Sequence, residues 1–216
     1  MSEMKKVMIA VPFILIFCLG QLFGQKNIFN IGVEGGTNLT FLHKNTTFLP
    51  FGQALGFTGG LSLQYNLSER IGIKTGINFE RRVTTVRVDL TDANGQPDGV
   101  IIHNARFDYM IVPLMGKITW ENKGKLYYVN AGPHLGYLSR QSNSNVHTYI
   151  DGYSRGELNH LDIGISTGIG AMFPINQNIY LTTEVRSNLG LRDMLTTDLT
   201  IKTNAVNLLA GIAYRL

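Results

Sequence analysis

Hydrophobic and polar residues alternate along most of this chain, in stretches of about ten joined alternately by long polar segments and very short ones. Period-two alternation is the mark of a β-strand with two chemically different faces. It predicts eight strands. The first spans about Ile28 to Phe41, with Ile31, Val33, Leu39 and Phe41 on one face and Gly32, Glu34, Gly36, Asn38 and Thr40 on the other. The second, Phe57 to Tyr65, sets Phe57, Leu61, Leu63 and Tyr65 against Thr58, Gly60, Ser62 and Gln64. The third starts at Ile71 and opposes Ile73, Ile77 and Phe79 to Lys74, Asn78, Glu80 and Arg82. Its far end, Val83 to Leu90, loses strict alternation, which predicts a bulge or an extension above a membrane.

The fourth strand, about Ile101 to Trp120, alternates poorly and contains Pro113, which lacks a ladder donor and predicts a local irregularity. The fifth is Leu126 to Leu138, with Tyr128, Asn130, Gly132, His134 and Gly136 on the polar face. The sixth, Leu161 to Phe173, places Asp162, Gly164, Ser166, Gly168 and Gly170 there. In the seventh, Ile179 to Leu189, the polar face holds Thr182, Glu184, Arg186 and Asn188. The eighth, Ala205 to Leu216, opposes Val206, Leu208, Ala210, Ile212 and Tyr214 to Asn207, Gly211 and Arg215.

Asn66–Arg70, Glu121–Lys125 and Pro174–Asn178 read as tight turns. Leu42–Gly56, Thr91–Val100, Ser139–Leu158 and Arg192–Thr200 read as longer loops rich in Asn, Ser, Thr, Asp and Gly. Short turns on one side and long loops on the other are the layout of an eight-stranded antiparallel up-and-down transmembrane β-barrel, an all-β fold. The short turns then face the periplasm, the long loops face outward, and both ends of the barrel lie on the periplasmic side of a Gram-negative outer membrane.

Alternation alone does not say which face is greasy, since a soluble lipocalin-like barrel has the same period with the apolar face inside. Two features favour apolar outside. The polar face is built largely of Gly, Ser, Thr and Asn with sparse charges, whereas a solvated exterior is rich in Lys and Glu. Tyr65, Trp120, Tyr127, Phe173, Tyr180 and Tyr214 fall near the short turns or the end of the chain, and Phe41, Phe57 and Tyr137 near the long loops, as two interfacial belts require.

The N-terminus changes the picture of location. Lys5 and Lys6 precede a thirteen-residue apolar run, Val7 to Leu19, which is too short for a membrane helix and suits a secretory signal. Cleavage is expected after Gly24, giving a signal peptide over 1–24 and a barrel domain over 25–216. Cys18 follows Phe17 rather than the small residue a lipidation site needs, and it leaves with the signal. The remaining chain carries 17 basic and 14 acidic residues, a net +3. That mild, scattered excess includes no basic cluster with interleaved aromatics, so nucleic acid is not an expected partner.

By parity Glu34, Lys74, Glu80, Arg82, Asp162, Glu184, Arg186 and Arg215 share the polar, lumen-facing side. Charges in a narrow lumen must pair or stay wet, which predicts either a salt-bridge network that plugs the barrel or a small aqueous path tuned by those charges. His134 faces the same way. His103, His147 and His160 sit in loops or at their edges and match no metal-site spacing, so no metal or cofactor is expected. A His–Ser pair on the outer face would mark a lipid-hydrolysing barrel, and nothing in the sequence ties one together. Gly164 to Gly170 lacks the Lys-Ser or Lys-Thr of a phosphate loop. Its glycines are expected to thin the wall where large lumen side chains cross.

Arg106-Phe107-Asp108-Tyr109-Met110-Ile111-Val112-Pro113-Leu114 resembles a strand of the PorT-like outer membrane β-barrel family of Bacteroidota, and Asn130-Ala131-Gly132-Pro133-His134-Leu135-Gly136-Tyr137 resembles the next. Asp162-Ile163-Gly164, Gly168-Ile169-Gly170, Glu184-Val185-Arg186 and Gly190-Leu191-Arg192-Asp193 resemble later parts of that family. The resemblance implies an outer membrane barrel, with outer membrane lipid as its surroundings and the barrel assembly machinery as its insertion partner. It also implies a terminal aromatic residue, where this chain ends in Leu216. The founding member is tied to protein secretion. The function expected is therefore non-enzymatic: a barrel with a mostly plugged lumen, acting through its extracellular loops or within an envelope or secretion complex. A narrow porin-like channel for small solutes or ions is the alternative, and a lipid-modifying enzyme the third.

Overall fold

The structure, a computed structural model, describes residues 29–44, 51–92, 94, 96–143, 159–193 and 201–216. The signal segment, its cleavage point, His147 and the loop residues 45–50, 144–158 and 194–200 lie outside the described residues. The strands are β1 (Phe29–Lys44), β2 (Phe51–Gln53), β3 (Leu55–Asn66), β4 (Ile71–Thr91), β5 (Pro97–Asn122), β6 (Lys125–Asn143), β7 (Leu161–Pro174), β8 (Ile179–Gly190) and β9 (Ile201–Arg215). β1 pairs antiparallel with β3, each strand from β3 to β8 pairs antiparallel with the next in chain order, and β1 pairs with β9, which closes the barrel. β2 and β3 both pair with β4 and form one wall strand broken at Ala54. Gln53 opposes Thr84 while Phe57 opposes Arg81, so the β2–β3 side carries one extra residue. The closed wall therefore has eight strands, and closure leaves no unpaired edge.

The apolar face points outward. Val33, Leu61, Leu114, Ile169, Leu208 and Ile212 are all more than half exposed, while the polar face of the same strands is buried. That inversion is what a wall bathed in hydrocarbon requires. Aromatic pairs mark both rims. Phe29–Tyr65 and Trp120–Tyr127 lie at the short-turn end, with ring centroids 5.0 and 6.3 Å apart. Phe57–Phe79 and Tyr137–His160 lie at the other, at 5.6 and 6.0 Å. Tyr180 does not belong to the rim. It shares the parity of Glu184, is buried, and lies under Arg215 inside the barrel.

Several strands run past the limits that alternation predicts. β4 has 21 residues and β5 has 26. At about 3.3 Å per residue β4 is about 70 Å long, far more than a tilted strand needs to cross an apolar band of about 25 Å. The stretch Val83–Leu90 is thus an extension. It pairs regularly with β5, and the register shifts only at Leu90/Thr91. The expected loop Thr91–Val100 shrinks to the tip of this hairpin, where Asp92 accepts hydrogen bonds from the N–H groups of Asn94 and Gln96, both 2.8 Å. β6 likewise continues to Asn143, into the expected loop Ser139–Leu158. Pro113 keeps its register opposite His134, but pairing with β4 lapses across Gly76 and Ile77.

The short turns follow local chemistry. Lys123 and Gly124, both with positive φ (52° and 74°), form the two-residue β5–β6 turn that closes Asn122 against Lys125. Ser68 Oγ accepts the Ile71 N–H at 3.1 Å, and Asn176 Oδ1 accepts the Ile179 N–H at 2.8 Å.

Candidate functional site: the lumen

Two layers of ionised side chains cross the barrel interior. In the first, Lys74 Nζ on β4 reaches Glu34 on β1 (2.9 Å) and Glu184 on β8 (2.6 Å). Arg186 on β8 bridges the same two carboxylates, both at 2.7 Å. Two cations and two anions balance. Tyr128 donates to Glu184 at 2.8 Å. The Asn78 amide, turned to satisfy its neighbours, donates to Glu34 at 3.3 Å and accepts from Arg186 at 3.1 Å. Four steps around the eight-stranded wall separate β4 from β8, so the Lys74–Glu184 bridge joins opposite sides of the barrel.

The second layer centres on Arg82, which is fully buried. Its guanidinium donates to Glu80 at 2.6 Å, to Asp162 on β7 at 3.0 Å and to Thr203 on β9 at 2.6 Å. It lies 4.5 Å from the ring of Tyr109. Asn188 donates to the other oxygen of Glu80 at 2.8 Å. One cation here faces two carboxylates. His134 Nε2 lies 3.8 Å from Asp162, and His134 Nδ1 lies 3.0 Å from Ser166 Oγ.

Glycines of β7 make room for these side chains. A Cβ at Gly168 would meet Asn130 Oδ1 at 2.5 Å and Glu184 Oε1 at 2.9 Å, and one at Gly164 would meet the His134 ring at 2.5 Å. At Gly170 it would strike the Tyr128 ring. The glycine run is space for lumen side chains and not a phosphate loop.

Seven of the eight charges that parity groups together enter these two layers. Arg215 does not; it stacks on Tyr180 at 4.5 Å. Sequence reasoning missed Lys117 on β5. Its ammonium donates to Gln64 at 2.6 Å, sits 3.4 Å from Met172 sulfur and lies 3.7 Å from the centre of the Tyr128 ring. β5 hides it because its inward residues Tyr109, Ile111 and Met115 are as apolar as its outward ones, Met110, Val112 and Leu114. The Lys123-Gly124 turn was the available signal, since counting back from it sets Lys117 opposite the inward Asn130.

The Ser166–His134–Asp162 set has the residue types of a hydrolytic triad, but Ser166 and His134 are buried in the lumen. Ser166 donates its proton to Asn188 Oδ1 at 2.7 Å. A lipid-hydrolysing site would have to face the membrane. Among the described residues, no three of His, Cys, Asp and Glu come together to hold a metal.

Two solved structures share this architecture. The Neisserial surface protein A is 13% identical, with 87% of this chain and 97% of that one covered and a TM-score of 0.51. The outer membrane protein OprG from Pseudomonas aeruginosa is 12% identical, with 89% and 98% covered and a TM-score of 0.55. At such identities the likeness is one of fold. No curated protein matches the chain in sequence. Residues 21–196 match the family described as "Outer membrane protein beta-barrel domain". The match is to that general description and not specifically to the PorT-like family or to Bacteroidota. A closed eight-stranded wall, its apolar outer face, its two aromatic rims and this match together make the chain a member of the outer membrane protein β-barrel domain family.

Proposed function

We propose that this outer membrane barrel is non-catalytic, closed at rest by its own lumen side chains, and acts through its outward-facing surface or within an envelope assembly. The observation that carries the reading is the Lys74–Glu184 bridge between opposite strands, with Arg82 reaching both β7 and β9 one layer away. A solute would have to break several charge-assisted contacts to pass. Insertion by the barrel assembly machinery and the narrower PorT-like kinship are part of the same proposal.

A narrow channel for small solutes or ions is the second reading, and one observation favours it. A cavity of about 20 Å³ lies among Asn30, Gln64, Lys74, Lys117 and Tyr128, and the buried Asn30 amide there has no hydrogen-bond partner among the described residues. Efflux of a small anion, a small cation and a pentose from protein-loaded vesicles separates the two. The closed reading expects leakage no faster than from protein-free vesicles. Rapid efflux of any of the three from vesicles holding folded barrel overturns it in favour of the channel.

A further inference from the structure

Above the outer aromatic rim, the outward face of the wall gathers three arginines around one carboxylate. Asp108 on β5 has the parity of the lipid-facing Met110 and Val112. It stands directly opposite Arg81 on β4 and Arg140 on β6. Directly paired residues share a face with their Cβ atoms about 5 Å apart, and Arg106, two residues before Asp108, lies on that face about 7 Å further up. Arg81 takes the whole carboxylate, with Nε and Nη2 at 2.7 and 2.8 Å from its two oxygens. Arg106 and Arg140 are exposed and make no ion pair among the described residues.

The backbone is adjusted to build this group. The β5–β6 register shifts at Asp108/Tyr109, where β6 carries Ser139 as an extra residue. The hydroxyl of Ser139 donates to the Asp108 carbonyl at 2.9 Å. Without that bulge Asp108 would face Ser139; with it, Asp108 faces Arg140. The height is set by aromatic rings, since the Arg81 guanidinium lies 5.0 Å from Phe57 and 5.9 Å from Phe79. Below the group the same face carries Met110, Val112, Leu114, Leu135 and Tyr137, all exposed.

We infer that Arg106 and Arg140, positioned beside the Arg81–Asp108 pair, form a binding site for the phosphate of an outer-leaflet glycolipid headgroup. Arginine presents a planar fork that matches phosphate oxygens bidentately. At the rim two unpaired guanidinium groups can hold one phosphate, and the apolar wall beneath them can take the acyl chains of the same molecule.

The test is lipid retention by the full barrel in phosphatidylcholine vesicles doped with lipid A, phosphorylated or enzymatically dephosphorylated, read by the lipid that co-purifies. Wild type retains the phosphorylated lipid preferentially. The Arg106→Gln/Arg140→Gln variant loses that preference by about tenfold, as expected for the loss of charge-assisted hydrogen bonds. Lys125→Gln, at the opposite rim, keeps it. A shift in gel mobility on heating confirms that each variant is folded. Equal retention by wild type and the double variant, or equal retention of the dephosphorylated lipid, overturns the inference. Loss of preference in Lys125→Gln as well overturns it by showing a response to overall charge.

Discussion

A cation buried between two carboxylates is a commitment that single substitutions expose. Lys74→Met leaves Glu34 and Glu184 with only Arg186, an uncompensated buried negative charge. The expected cost is about 3–5 kcal/mol, read as a lower urea midpoint for unfolding in lipid vesicles. Lys74→Met/Glu34→Gln restores neutrality and recovers part of that loss, so the cycle gives a coupling between the two positions. Glycine position matters in the same way. Gly168→Val pushes a side chain into Asn130 and Glu184 and is expected to destabilise by about 1–3 kcal/mol. Gly35→Ala faces the lipid, where the nearest atom to its Cβ is 3.6 Å away, and is expected to stay within about 0.5 kcal/mol of wild type. At this scale the sequence told which face Glu34, Lys74, Glu80, Arg82, Asp162, Glu184 and Arg186 share, because parity is local. It could not tell who pairs with whom, because the partners of Lys74 lie 40 and 110 residues away.

Strands are legible where their two faces differ and obscure where they do not. β1, β3, β7 and β8 alternate cleanly and were readable to within a few residues. β5 was not, because it packs Tyr109, Ile111, Pro113 and Met115 against the lumen contents while facing lipid on its other side. The β4–β5 extension was half visible: loss of alternation at Val83 showed that the membrane pattern ends there, but the chain continues as a hairpin because each strand satisfies the other's backbone. Its tip depends on Asp92. The Gln96 and Asn94 N–H groups that bind its carboxylate hold its pKa below the usual 3.8. The depressed value means that the contact stabilises the tip above about pH 4 and is lost as pH falls through the lowered pKa. Amide shifts of Asn94 and Gln96 should therefore titrate together with a midpoint below 3.8, and Asp92→Asn should abolish that transition. A midpoint at or above 3.8 would show that the contact contributes nothing in solution.

For the whole molecule, closure of β1 on β9 turns a two-faced sheet into a wall with lipid outside and charge inside. The barrel was readable because strand number, turn lengths and the placement of most aromatics agree on it, although Tyr180 lies in the lumen and not in a rim. Whether the lumen is open is a different kind of fact, decided by side chains meeting across eight strands. The layers at Lys74/Arg186 and at Arg82 tie separate wall strands together across the lumen, and we propose that they keep the barrel closed. Single-channel recording of the folded protein in a planar bilayer, beside a Glu184→Lys variant, tests this most directly. Wild type is expected to be silent while still shifting in mobility on heating, with openings only in the variant, where Lys74 and Arg186 lose their shared anion. Discrete openings in the wild type, with ion selectivity that reverses in Glu184→Lys, would contradict it and make the lumen charges the lining of a working channel.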